Sequence, residues 1–167
     1  LFRSTNSGSG ATERVTITRD GYVTMSAQPR FYAYGVSGGT YASGNYWIFP
    51  STIVNSGSYN TSNGKFTAPV AGTYLFFHSN IAGTAADVYR YFLYKNGSLF
   101  STSQHRVDLN ASGTEYGTNG SKITMMTLAK DDYVQVFWYS DSGTNASYPF
   151  SNDTSNEYCI FGGYLLG

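Results

Sequence analysis

Strand-length apolar segments recur along this chain at intervals of about ten residues, which is the spacing of a β-sandwich or barrel. Between them lie dipeptides that tolerate positive φ: Gly38-Gly39, Asn63-Gly64, Asn96-Gly97 and Asn119-Gly120. The pattern predicts strands near 29–34, 46–49, 64–66, 72–82, 88–94, 98–103, 122–128, 133–139 and 158–166.

Composition supports an all-β fold. Only 12% of the 167 residues are charged and 17% are aromatic, and the chain contains 16 Tyr, 11 Phe and 19 Gly. Tyr and Phe suit the half-buried surface of a sheet, and Gly suits its turns, whereas helix surfaces need many more charged side chains. The length fits one main domain.

Charge and cysteine content exclude several partners. Ten basic and ten acidic residues give zero formal net charge, and no basic stripe is present, so we expect neither nucleic acid nor an anionic membrane as a partner. The apolar run 134–139 is far shorter than the ~20 residues of a membrane helix, so no membrane insertion is expected. Cys159 has no second cysteine to pair with, and we expect it to be buried and reduced.

The N-terminal part differs from the rest. Residues 1–11 are mainly Ser, Gly, Asn and Thr, which predicts a linker, and 13–25 alternate around the turn Asp20-Gly21, which predicts a hairpin. Two strands alone are marginally stable, so the hairpin needs the main domain or copies of itself. We predict that 1–28 are a linker and hairpin that join an upstream stalk, that 29–167 are the main domain, and that the chain is a piece of a longer protein.

Several segments occur in a recognisable order: Tyr59-Asn60, Gly64-Lys-Phe-Thr-Ala-Pro69, Ala71-Gly-Thr-Tyr-Leu-Phe-Phe77, Tyr94-Lys-Asn-Gly97, Asp131-Asp-Tyr-Val134 and Phe161-Gly-Gly-Tyr-Leu-Leu166. From about residue 29 onward the chain resembles the globular head domain of complement C1q and its relatives in the tumour necrosis factor superfamily. The resemblance implies a ten-stranded jelly roll that forms a compact homotrimer, with the last strand buried near the threefold axis.

The last strand carries the predicted subunit interface. It is apolar on both faces, and burial between subunits would remove both faces from water. The interface candidates are Tyr158, Phe161, Tyr164 and Leu166. The strands at 88–94 and 133–139 also have a second, aromatic face that would suit a subunit interface.

The hairpin segment Glu13-Arg-Val-Thr-Ile-Thr-Arg-Asp-Gly-Tyr-Val23 is similar to short segments of bacteriophage tail-fibre and tail-spike proteins. The leading functional hypothesis is therefore a non-enzymatic, trimeric receptor-binding or adhesion domain at the tip of a viral fibre, which recognises a glycan or protein on the host surface. The alternative is a secreted C1q-like lectin or signalling trimer of a cellular organism. The expected location is the virion or the extracellular space.

Catalytic signatures are missing from the sequence. There is no Gly-x-Ser-x-Gly elbow, no phosphate-binding glycine loop and no His-Glu-x-x-His. His78 lies in a predicted strand, where a structural role is expected, and His105 lies in a segment that is either a loop with a His-Asp contact or a solvent-facing edge. We therefore predict a protein without enzymatic activity.

Aromatic residues in long loops are the ligand-binding candidates. Tyr116, Tyr148 and Phe150 lie in the loops 111–120 and 140–156 among small polar residues, a composition typical of recognition surfaces. Trp47 and Tyr59 are expected to pack in the core instead.

No cofactor is required by this hypothesis, but relatives often bind calcium, which takes six to eight oxygen ligands. The candidate ligands are the loop acids Asp87, Asp108, Asp141 and Asp153. The pair Asp131-Asp132 matches a Gly-Asp turn of the family, with Asp131 in place of the glycine.

Six Asn-x-Ser/Thr sequons begin at Asn60, Asn96, Asn110, Asn119, Asn145 and Asn152, and an Asn-rich composition accounts for such a number.

Overall fold

The computed structural model describes residues 2–4, 12–35, 40–81, 88–100, 105–108, 119–141, 146–147 and 159–167. The regular elements among them are the strands β1 (Phe2–Ser4), β2 (Thr12–Ile17), β3 (Val23–Thr24), β4 (Arg30–Tyr34), β5 (Thr40–Tyr41), β6 (Asn45–Trp47), β7 (Ser51–Asn55), β8 (Tyr59–Asn60), β9 (Lys65–Thr67), β10 (Gly72–Ile81), β11 (Val88–Lys95), β12 (Ser98–Leu99), β13 (His105–Asp108), β14 (Asn119–Leu128), β15 (Tyr133–Ser140), β16 (Ala146–Ser147) and β17 (Ile160–Leu165). None of the described residues belongs to a helix with the length and hydropathy that a membrane crossing needs.

Two antiparallel sheets pack face to face. The five-stranded sheet has the order β14-β10-β17-β4-β7, and the seven-stranded sheet follows β12-β11-β15-β9-β8, with β13 beside β11 and β6 beside β15. The last strand, β17, lies between β10 and β4 and is antiparallel to both. The all-β jelly roll expected from the sequence is confirmed. Two small sheets, β1-β2-β3 and β5-β16, complete the described strands.

The space between the sheets is filled mainly by aromatic side chains. Phe31 lies at the centre of one cluster, with ring centroids 4.9 Å from Phe66 and 4.8 Å from Phe161. Trp47 and Trp138 form a second, edge-to-face pair at 6.0 Å. Both tryptophans are buried, and the burial of such large apolar rings stabilises the sandwich.

Tyr59 is a core residue with a polar end, as the sequence predicts. Its hydroxyl donates a hydrogen bond to the carbonyl of Phe49 and accepts one from the Phe49 N–H, each at 3.2 Å. Burial raises the pKa of Tyr59, with the hydrogen bond to Phe49 opposing the shift. The predicted core position of Trp47 is confirmed as well, because it is almost completely buried.

Turn positions follow the dipeptides seen in the sequence. Asn96 and Gly97 both have positive φ, 50° and 76°, and join β11 to β12 as a two-residue hairpin. Gly21, with φ of 83°, closes the predicted hairpin between β2 and β3. Asp131 has φ of 70°, a conformation that glycine adopts more easily than other residues.

Two local predictions are wrong, and one strand of the five-stranded sheet was not predicted. Asn119-Gly120 is not a turn, because both residues lie in β14, where they pair with Ile81 and Asn80 of β10. Part of the predicted linker is a strand, β1, which pairs with β2 and so satisfies backbone groups along that edge. The strand β7 was not predicted, because its segment Ser51–Asn55 has few apolar residues. Gly38-Gly39 lies outside the described residues.

Candidate functional site

The outer face of the five-stranded sheet is apolar although it is not covered by any other part of the described chain. Ile123 and Met125 of β14 are 68% and 64% exposed, and Tyr164 of β17 is 41% exposed. The register places these side chains in rows across the sheet, since Ile123 pairs with Phe77 and Met125 pairs with Leu75. We call this surface the association face and define it as Leu75, Phe77, Ile123, Met125, Ile160 and Tyr164.

A glycine shapes the centre of the association face. Gly162 lies opposite Phe77 in the register, and the Phe77 ring covers it so closely that a Cβ on Gly162 would stand 2.2 Å from the ring's Cζ. The same ring contacts Tyr32 with centroids 5.9 Å apart. The missing side chain at 162 therefore lets the Phe77 ring lie flat along the sheet.

The outer face of the seven-stranded sheet has a different chemistry. Phe137 of β15 stacks on Tyr94 of β11 at a centroid distance of 4.4 Å and meets Tyr46 of β6 edge-to-face at 5.5 Å. Phe92 of β11 lies 6.5 Å from Phe137. These four rings form a layer that we call the aromatic wall. Side chains alternate between the two faces along these strands, so Tyr91 and Leu93 point into the core instead.

A cleft lies beside the aromatic wall, between β6, β9 and β15, and we define it as Tyr46, Ser62, Asn63, Lys65, Tyr133 and Gln135. The Lys65 ammonium sits over the Tyr133 ring, 4.0 Å from its centroid. The Gln135 side-chain amide donates to the carbonyl of Asn63 at 2.8 Å, which ties the base of the cleft to the neighbouring turn. These side chains are amides, hydroxyls, aromatic rings and one cation, with no carboxylate among them.

The phenol of Tyr46 is perturbed by its position in this cleft. Burial is the main cause that raises its pKa, and the nearby phenols of Tyr133 and Tyr94 raise it further. Tyr46 is therefore a neutral hydrogen-bonding hydroxyl at physiological pH, standing between the wall and the cleft.

The predicted interface residues of the last strand are in different environments. Phe161 is completely buried in the core of its own chain, where it contacts Phe31, so the prediction of an interface role for its side chain is wrong. The strand's alternation points Phe161 inward, and its apolar character is explained by the sandwich core. Tyr164 and Leu166 are 41% and 46% exposed and stay interface candidates. Tyr158 lies outside the described residues.

The predicted ligand-binding residues Tyr116, Tyr148 and Phe150 also lie outside the described residues. Sequence reasoning missed Lys65, Ser62 and Asn63 as site candidates. A signal for the cleft was present at Gln135, the one amide inside the apolar run 134–139, because an amide within a strand needs a partner or a function.

Among the described residues, no group of three or more His, Cys, Asp or Glu side chains could hold a metal ion. Asp141 forms a bidentate ion pair with Arg90, with Nε–Oδ1 at 2.7 Å and a second contact at 2.5 Å. Asp108 lies in β13 opposite Val88. Asp87 and Asp153 are outside the described residues.

The histidines and the cysteine follow the strand pattern. His78 is buried on the inner side of β10, as expected for a structural residue, and His105 begins β13, where it pairs in register with Tyr91. Cys159 is buried, as predicted.

This two-sheet architecture, with the last strand in the middle of one sheet, defines a jelly-roll head domain, and comparison with known proteins gives its family. The C1q domain family matches residues 31–166, so the chain belongs to that family. A solved structure described as the globular domain of zebrafish complement 1qA protein is similar, with a TM-score of 0.55 and 16% identity over 84% of this chain and 98% of that chain. No curated protein sequence matches the chain.

Proposed function

We propose that this chain is a non-enzymatic recognition head that works as a homotrimer and binds a ligand on a cell surface. The observation that carries the proposal is the association face, where Ile123 and Met125 are about two-thirds exposed on a chain with no net charge. C1q domains typically form trimers and bind ligands. A face of this kind would promote aggregation in a monomer, whereas three copies around an axis would remove it from water.

The position of β17 supports this assembly. It lies in the middle of the five-stranded sheet, so its outward side chain Tyr164 is part of the association face. Its end is held by the chain before β4, because the Gln28 amide donates to the carbonyl of Leu165 at 2.6 Å and the Leu165 N–H donates to the carbonyl of Pro29 at 3.0 Å. The N-terminal hairpin therefore joins the domain at the end where β17 finishes.

Two settings fit such a trimer, and we favour the tip of a viral fibre. The hairpin sequence supports it, and so does the exposure of Ile17, Tyr22, Val23 and Met25, which three hairpins in a fibre stem would cover together. The alternative is a secreted C1q-like lectin or signalling trimer. Fibre-shaft repeats upstream of the hairpin would support the first setting, and a signal peptide with collagen repeats would support the second.

Light scattering coupled to size-exclusion chromatography tests the trimer. We expect the parent to have about three times the chain mass of 18.2 kDa. Ile123→Asp should give a folded monomer, because the side chain is exposed within one chain and a charge in the packed interface costs several kcal/mol in each copy.

The matched control is Leu99→Asp, since Leu99 is 50% exposed but lies on β12 in the seven-stranded sheet. It should stay trimeric. A parent that is monomeric at micromolar concentration, or an Ile123→Asp variant that stays trimeric, would contradict the proposal.

A further inference from the structure

We infer that the cleft formed by Tyr46, Ser62, Asn63, Lys65, Tyr133 and Gln135 binds an acidic saccharide, that is, a sugar with a carboxylate such as a uronic or sialic acid. The inference rests on the proposed recognition function and names its ligand class and its place in the fold. The cleft lies on the side of the sandwich, whereas the sequence predicted ligand binding in the long loops.

The aromatic side of the cleft suits the apolar face of a sugar ring. The C–H bonds of a pyranose carry small positive charge and the face of an aromatic ring carries negative charge, so the two stack. Tyr46 presents a half-buried ring held edge-to-face by Phe137 and by Tyr94 at 5.5 and 5.9 Å. A ring that neighbours hold in place loses little freedom when a ligand stacks on it.

The polar side of the cleft suits hydroxyl groups and one negative charge. Ser62, Asn63 and Gln135 supply hydroxyl and amide groups within a concave surface. Lys65 is the charged residue of the cleft, and its ammonium is held 4.0 Å over the Tyr133 ring without a carboxylate in the lining. A ligand carboxylate would complement this charge, and a charge-assisted hydrogen bond is about twice as strong as a neutral one.

The cleft shares no residue with the association face. It belongs to the seven-stranded sheet, whereas the association face belongs to the five-stranded sheet on the opposite side of the core. Arg90 is a second cation on the outer face of the seven-stranded sheet, in β11. It forms a bidentate ion pair with Asp141. Lys65 is the cation among the residues that line the cleft, and charge recognition there would depend on it.

Isothermal titration calorimetry of the full chain, at one fixed ionic strength, tests the inference with sialyllactose and a glucuronate-containing disaccharide as acidic probes and lactose as the neutral probe. We expect the acidic probes to bind more tightly than lactose. Lys65→Met should weaken acidic binding by about tenfold or more and leave lactose binding unchanged. Tyr46→Ala should weaken binding of both kinds.

Controls separate a local loss of binding from unfolding. Tyr139→Ala removes an aromatic ring that is 43% exposed on β15 but outside the cleft, and it should bind like the parent. Tyr46→Phe keeps the stacking ring and should retain most of the affinity if Tyr46→Ala fails to fold. Each variant is checked for its trimer mass before titration.

The outcomes distinguish this inference from the function it rests on. Equal binding of acidic and neutral probes, or unchanged acidic binding by Lys65→Met, would overturn it. A trimer that binds host cells but no saccharide would overturn it and leave the proposed function standing. Loss of cell binding by Tyr116→Ala with Tyr148→Ala, but not by Lys65→Met, would place the site in the loops. A parent that binds neither cells nor saccharides would contradict both.

Discussion

Asp132 connects the hairpin after β11 to the turn before β15. Its carboxylate accepts hydrogen bonds from the Asn96 side chain at 2.7 Å and from the Ala129 N–H at 2.8 Å, and Lys95 lies 2.9 Å away. Asn96 in turn accepts the Tyr133 N–H at 2.9 Å. Hydrogen bonds from Asn96, Lys95 and Ala129 lower the pKa of Asp132 to about 2. The side chain of Asn96, the first residue of one sequon, is therefore engaged in the fold.

This shift makes stability depend on pH in one direction. Because the pKa of Asp132 is lower in the folded protein than its ordinary value of 3.8, the ionised carboxylate stabilises the fold above pH 3.8. That contribution disappears as the pH falls toward 2. Asp132→Asn should therefore melt at a lower temperature than the parent at pH 7, and the difference should shrink between pH 3.8 and about 2.

Differential scanning calorimetry at a fixed protein concentration measures this. Asp131→Asn is the neighbouring control, because that carboxylate contacts the exposed ammonium of Lys130. Its difference from the parent should be smaller at pH 7. A gap between the parent and Asp132→Asn that stays constant down to pH 2 would rule out the carboxylate network as its cause.

Gly162 lets β17 pack closely against β10, because its lack of a side chain leaves room for the Phe77 ring. A Cβ on Gly162 would lie 2.2 Å from the Phe77 ring, so Gly162→Ala should destabilise the protein by about 1–3 kcal/mol through overpacking. Phe77→Ala removes the ring, and in that background the same substitution should cost far less. A double-mutant cycle from urea denaturation at fixed protein concentration measures the coupling.

Gly163 provides the matched comparison. A Cβ there would lie 2.9 Å from the Leu75 carbonyl oxygen and 2.6 Å from Cδ1 of Phe76, on the inner side of the sheet. Gly163→Ala should thus be destabilising whether or not Phe77 is present. If Phe77→Ala relieves both alanine variants equally, the clash with the Phe77 ring is not the reason for glycine at 162.

The long central strands could be predicted from sequence because their alternation is strong. In β10 the inward residues Tyr74 and Phe76 are fully buried, while Leu75 and Phe77, which alternate with them, face outward. The short edge strand β7 could not be predicted, since its pairing with β4 is decided by a partner distant in sequence. The same limit led to the error at Asn119-Gly120, where pairing with β10 overrides the turn preference of the dipeptide.

The candidate site shows which part of function a local pattern can reveal. Apolar residues on both faces of β17 led to the prediction that both faces are buried, but only the fold shows that Phe161 points into the core and Tyr164 points out. The cleft brings together Tyr46, Lys65 and Gln135 from three separate strands. No spacing pattern in the sequence indicates that these three residues lie close together. Only single residues of the site could therefore be predicted from the sequence.

The outer faces of the two sheets differ in their chemistry. The five-stranded sheet presents mainly apolar side chains, among them Ile123, Met125 and Tyr164, which form few hydrogen bonds and suit contact with identical copies. The seven-stranded sheet presents phenols, amides and Lys65, which suit a polar ligand. Because these faces lie on opposite sides of the core, association through one leaves the other accessible, and a trimer would carry three clefts.

Three clefts on one trimer should strengthen binding to a surface that is densely coated with saccharide, but not binding to a soluble saccharide. The parent and the Ile123→Asp monomer should bind a soluble acidic saccharide with equal Kd, since Ile123 is in the other sheet. On a surface densely coated with the same saccharide, the trimer should be retained about 10²–10⁴-fold better, because linked sites act at high effective concentration. Surface plasmon resonance at low and high saccharide density measures both quantities. Equal retention at high density would show that the clefts of one trimer cannot reach the same surface, and binding would then depend on the affinity of a single cleft.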